Sequence, residues 1–138
     1  MIRAKAICVF RRDDRILVGF AADPRTGGHY GRPLGGGIEF GERSDETVRR
    51  EIREELGEEV RDLRLLGVLE NIFTLDARRW HEIVFVFDGA FADASVYDRP
   101  SLPVNEAACI APARWVPLSA FGDDLPLYPR DLPDLLRR

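Results

Sequence analysis

Two cysteines in 138 residues are too few for a disulfide framework. Cys8 and Cys109 both sit in apolar strings, and the simplest reading is reduced, buried thiols of a cytoplasmic protein. A pairing between them stays open at this level. A basic excess is also missing: the net charge is −4, so no positive field is available to hold a nucleic-acid backbone. A polyanion-binding surface must then be local and draw on a cation. No apolar run approaches the roughly 20 residues needed to cross a bilayer, and residues 1–5 lead into a strand pattern, not a signal peptide. Repeats, low-complexity tracts and an internal domain boundary are absent too. These absences give the expectation of one cytoplasmic domain over residues 1–138, with neither nucleic acid nor membrane as partner. The 45% hydrophobic and 32% charged fractions suit a soluble chain with a real core.

What is present concentrates in residues 36–58, GGIEFGERSDETVRREIREELGE. Ser44 is placed to be an N-cap, with Asp45 and Glu46 in the positively polarised first turn. Gly57 is a stop signal. At about 100° per residue, Val48, Ile52 and Leu56 form one stripe that must face a core. Glu51, Glu54 and Glu55 fall on the arc beside that stripe. Carboxylates crowded beside a buried face repel one another unless a cation neutralises them, and hard divalent cations prefer such oxygen ligands. A solvated acidic face is the competing reading. Just upstream, Gly35, Gly36 and Gly37 let the backbone turn sharply and approach a ligand closely.

The segment resembles the Nudix box, G-x5-E-x7-R-E-U-x-E-E-x-G-U, where U is bulky and aliphatic. Gly36 takes the first position, Glu42 the second, and residues 50–57 (REIREELG) the rest. Glu58 departs, standing where the pattern has an apolar residue, after the helix has ended. The resemblance implies an α/β fold: a Nudix-type α/β/α sandwich with a mixed central sheet, the box helix on one face and a C-terminal helix on the other. It implies a Mg²⁺-dependent hydrolase of nucleoside diphosphate-linked substrates, such as ADP-ribose-like compounds or (deoxy)nucleoside triphosphates, with Mn²⁺ able to substitute. It further implies that Glu51, Glu54 and Glu55 are catalytic and hold the metal, together with a backbone carbonyl at Gly35 or Gly36. Glu42 would support the metal or orient its waters, Glu51 is the first choice of base, and Arg50 would hold loop and helix together by pairing with an acid. Exposed sheet edges of such folds often pair, so a homodimer is admitted. The rival is a catalytically inactive Nudix-like module that binds a nucleotide and regulates a partner. An isomerase on the same fold lacks a cysteine near the box.

Along the rest of the chain, residues 4–10 and 15–21 read as strands of a hairpin with a solvated tip at Arg11 and Arg12. Residues 23–31 form a loop in which His29 and Tyr30 either line a substrate entrance or pack the loop. Tyr30 and Arg32 are the substrate-binding candidates. Residues 60–75 are strand-rich with Gly67 a bulge candidate. Residues 83–87 form the strongest strand, apolar enough to be covered on both faces. His81 and Glu82 at its start read as solvated, since one histidine without partners is weak evidence for a metal ligand. Phe20, Phe73 and Trp80 join Tyr30 as candidates to stack on a base, core packing being the alternative. Residues 93–112 form a long connection carrying Glu106, a candidate further ligand or base. Residues 114–118 resemble a short strand leading to a helix through Ser119, and residues 131–138 suit a terminal helix.

Overall fold

The computed structural model describes residues 1–138. Nine strands, β1 (Ile2–Val9), β2 (Arg11–Arg12), β3 (Arg15–Ala22), β4 (His29–Arg32), β5 (Leu34–Gly37), β6 (Val60–Leu75), β7 (Arg78–Phe91), β8 (Ser101–Leu102) and β9 (Ala111–Pro117), accompany two helices, α1 (Ser44–Leu56) and α2 (Leu132–Leu136). One sheet runs β5-β1-β7-β6 and is mixed: β1 and β7 are parallel, from Ile2↔His81 to Val9↔Asp88, and the other pairs are antiparallel. The second runs β2-β3-β9-β8, with β4 also on β3, and is antiparallel throughout.

Alternation along β1 sets the layers. Ala6 and Cys8, with Phe10 beyond the strand end, enter a core shared with Val48 and Ile52 of α1. Ile7 and Val9 enter a second core with Leu132, Leu135 and Leu136 of α2. With both faces covered, the strand reads as a nearly continuous apolar run, and β7 does the same through Val84, Val86 and Phe87. This is the expected α/β/α sandwich with a mixed sheet, extended by the second sheet.

Local expectations fare unevenly. Val48 and Ile52 are fully buried and Leu56 partly so. Gly57 closes α1 at φ 71°, its N–H donating to the Arg53 carbonyl at 3.0 Å. The N-cap, however, is Arg43 and not Ser44. Glu46 accepts a hydrogen bond from the Arg43 N–H at 2.9 Å, so the acid three positions on, not the serine hydroxyl, settles the first turn. Gly67 does lie at a bulge, where the register slips between Leu65 and Gly67. The hairpin is only partly realised. Its turn pairs Arg11 with Ile16 and Arg12 with Arg15, but β1 pairs with β5 and β7 in the other sheet. Arg12 is no solvated tip: it donates to the Tyr97 carbonyl at 2.6 Å and its guanidinium lies 5.1 Å from the Trp115 ring centre. Ser119 starts no α-helix; Leu118–Ala120 is a single 3₁₀ turn. Both cysteines are free, Cys8 buried and Cys109 half-buried. No helix is long and apolar enough to cross a membrane.

Candidate active site

Docking of α1 against β5 and β1 brings the acid-bearing arc of the helix onto the glycine strand. A Cβ on Gly36 would lie 2.5 Å from Oε1 of Glu51, so only glycine lets that carboxylate rest against the β5 backbone. Glu55, one turn further on, is 4% exposed. Burial, then contact with Glu51, pushes its carboxyl well above the usual range. Its Oε1 is buried without a hydrogen-bond partner. Glu54 is more exposed and meets Arg50 Nη1 at 3.3 Å. No three Asp, Glu, His or Cys side chains of the chain converge closely enough to form a ready ion cage.

Arg50 ties this corner together. Its Nε and Nη2 donate to the two Glu42 oxygens at 2.8 and 3.0 Å, Nη1 to Glu51 at 3.0 Å, and Nη2 to the Gly37 carbonyl at 3.0 Å. The helix, the loop before it and the glycine strand thus share one guanidinium, as the family resemblance implied for Arg50. Glu42 also accepts from the Thr47 hydroxyl at 2.6 Å and the Glu39 N–H at 3.2 Å. Arg50, then Thr47, hold its carboxyl down to about 2. Both Glu42 oxygens are therefore engaged within the protein. Because the folded value is depressed, Glu42 contributes stability above its ordinary value near 4.5, and loses it as pH falls toward 2. Arg50→Ala should cost about 2–3 kcal/mol, since it strips charged hydrogen bonds from a half-buried site. It should also flatten the acid limb of a thermal-melting series between pH 5 and pH 2. An unchanged melting temperature would remove Arg50 from this role.

The connection before β9 reaches the same place. Asn105 donates through its backbone N–H to the Glu55 carbonyl at 2.8 Å and through Nδ2 to the Glu54 carbonyl at 3.4 Å. The next residue, Glu106, is ion-paired with Arg32. Burial opposes the Arg32 charge, but Glu106 and Cys109 outweigh it and raise the guanidinium. The Cys109 thiol is raised by burial and by Glu106. Glu106 also adds to the rise at Glu55. No spacing rule in the sequence could place Asn105 or Glu106 here, some 50 residues beyond the helix.

Tyr30 and Arg32 line a cavity of about 650 Å³, which Gly35 also borders. That volume suits a nucleotide-sized ligand. Tyr30 is half-buried, its ring 5.0 Å from that of Tyr128, whereas His29 is exposed. Burial raises the Tyr30 hydroxyl. Phe73 and Trp80 stack at 6.2 Å with planes 8° apart on the same cavity, while Phe20 packs into the α2 core. The solvated reading of His81 and Glu82 is overturned. Glu82 is 7% exposed on the cavity wall, and His81 Nε2 is buried without a partner. β1 pairs with β7 from Ile2↔His81 onward and β6 runs on past both residues to Leu75↔Arg78, so they stand within the sheet and not at a strand end.

A family model described as the NUDIX domain matches residues 1–137. Among solved structures, the chain is similar to a MutT NUDIX hydrolase from Burkholderia pseudomallei, at 25% identity and TM-score 0.69, covering 99% of this chain and 97% of that one. It is similar to a MutT protein from Methanosarcina mazei Go1, at 24% and 0.66, covering 99% and 94%. It also shares its fold with an ADP-ribose pyrophosphatase from Streptococcus suis 89-1591, at 16% and 0.61, covering 98% and 87%. No curated protein matches. A family model running from the first residue to the last but one leaves one conclusion: the chain belongs to the NUDIX family of pyrophosphohydrolases.

Proposed function

We propose that the protein hydrolyses the diphosphate linkage of nucleoside diphosphate derivatives in a Mg²⁺-dependent reaction, with Mn²⁺ as a substitute. The observation that carries this reading is the unpartnered, buried Oε1 of Glu55 next to Glu51, whose own carboxylate rests against Gly36. Burial and Glu51 both disfavour charge on Glu55, and a cation between the two acids would offset the cost of ionising them together. The donor set, carboxylate oxygens with a backbone carbonyl, fits Mg²⁺. Glu51, Glu54, Glu55 and the Gly36 carbonyl would hold it. When bound, the cation supplies charge neutralisation for the diphosphate oxygens and acidifies a water.

The chain's own groups do the rest. Glu51 takes the proton of the attacking water. Arg50 and Glu42 fix the helix against the glycine turn, so that the acids meet the diphosphate in one geometry. Tyr30 and Arg32 border the substrate cavity, and Glu106 steadies Arg32. ADP-ribose-like compounds and (deoxy)nucleoside triphosphates are the leading substrates. The test is a panel of both classes with Mg²⁺, with Mn²⁺ and with EDTA, read by phosphate or nucleotide release. Turnover should occur with either metal and vanish with EDTA. Tight nucleotide binding without product, in folded protein, would replace this reading with the regulatory module.

A further inference from the structure

Alternation along β1 buries Ala6 and Cys8 in the core shared with α1, but on the same face Ala4 is exposed and Ile2 is 61% exposed. Register fixes what lies beside these two. Ile2 pairs with His81 of β7, which pairs with Ile72 of β6; Ala4 pairs with Ile83, which pairs with Glu70. Residues paired across a ladder point to one face, so two rows run side by side across three strands. Ile72 is 58% exposed, and Val68, one row closer to α1 and paired with Phe85, is 47% exposed. The loop after β5 leaves the sheet here: the Ile38 N–H donates to the Ala4 carbonyl at 2.9 Å, and Phe40 beyond it is fully exposed. Single exposed apolar residues are ordinary; a contiguous set on one sheet face is not.

The charges on this face match a copy of itself. Glu70 is the acid of the Ala4–Ile83 row, and Arg79, paired with Thr74, is the base of the row beyond His81. Both are exposed, and neither is ion-paired within the chain. Successive rows lie about 7 Å apart. A two-fold axis running along the Ile72–His81–Ile2 row turns a second copy over, so that its Arg79 row lies above the Glu70 row of the first. The two charges then stand one strand apart, about 5 Å sideways, within reach of an arginine. Each copy brings one acid and one base, so both pairs form together, while Ile72 and Ile2 meet their own counterparts on the axis. A lipid surface fits poorly, because Glu70 lies among the apolar residues and the net charge is −4. Edge-to-edge pairing of β6 is opposed by two bulges in its first half and by Arg61, Asp62 and Arg64 there.

We propose that this face docks a second copy of the chain, sheet against sheet about a two-fold axis, with Arg79 of each copy paired to Glu70 of the other. As residues of an edge strand, Glu70 and Ile72 also border the substrate cavity, so the docked copy stands beside it.

Sedimentation velocity of the full chain over about 1–200 µM should show a monomer–dimer equilibrium. Ile72→Asp sets like charges face to face on the axis and should leave a monomer throughout. Glu70→Arg and Arg79→Glu should each weaken the dimer at least about tenfold at low salt. The double reversal E70R/R79E should restore it to within about threefold, a rescue that general loss of structure cannot produce. Monomer at every concentration, a dimer indifferent to the single reversals, or one that the double reversal fails to restore overturns the proposal. So does a monomer that co-sediments with phosphatidylcholine vesicles, which assigns the face to a lipid surface. Should Ile72→Asp fail to fold, the reversal series decides alone. Neither metal nor substrate enters this measurement, so failure of docking and failure of hydrolysis are told apart.

Discussion

Glu55→Gln is expected to lower kcat by about a hundredfold or more while raising the melting temperature of the metal-free protein by a few degrees (roughly 1 kcal/mol). The two effects have one origin. Glu55 is buried against Glu51, and burial together with that neighbour disfavours its charge. Glutamine keeps the shape and removes the repulsion, so the fold gains. The proposed site loses an anionic ligand, so turnover falls. Steady-state kinetics with Mg²⁺ and scanning calorimetry in EDTA read both. Full activity in E55Q would take Glu55 out of the chemistry, and a lower melting temperature would mean that its carboxyl serves packing instead. The same change at Glu54, whose side chain is 57% exposed, should lower activity and leave stability within about 0.5 kcal/mol.

Neighbouring glycines should separate stability from function. At Gly35, φ is +150° and an added Cβ would sit 2.2 Å from the Ala6 carbonyl oxygen and 2.6 Å from the Ile7 Cα. Those are backbone atoms of β1, a central strand of its sheet, and they cannot yield without moving the sheet. Gly35→Ala should therefore cost more than about 3 kcal/mol or prevent folding. At Gly36 the added Cβ meets only the far end of the Glu51 side chain, at 2.5 Å. Gly36→Ala should fold, lose about 1 kcal/mol at most, and lose activity at least about tenfold by displacing that carboxylate. Urea unfolding and kinetics on the two variants check this. Equal destabilisation would contradict the contact geometry, and full activity in G36A would show that turnover does not need Glu51 in this position.

The helix was the most legible part of the chain because its evidence is local. Val48 and Ile52 at helical spacing face the core, and Gly57 ends the helix in the left-handed conformation that glycine tolerates. The cap falls one residue before the serine because Glu46 reaches back to the Arg43 N–H, an arrangement that needs no serine hydroxyl. Glu82 was misread because a polar residue at the edge of an apolar run looks solvated. Whether the strands beside it continue is decided elsewhere in the chain.

By itself, the sequence determined the acid-and-glycine segment and the strands flanking it, which follow from contacts within a few turns or a few residues, while the α/β class came with the resemblance of that segment to the Nudix box. Only tertiary structure decided what surrounds them. Asn105 and Glu106 come back to the end of α1 and to Arg32, and Asp23 and Glu82 meet on one cavity although 59 positions separate them. It also decided which carboxylates are buried and unpartnered. Burial is a property of the assembled layers, and no local pattern of residues encodes how far a given oxygen lies from water.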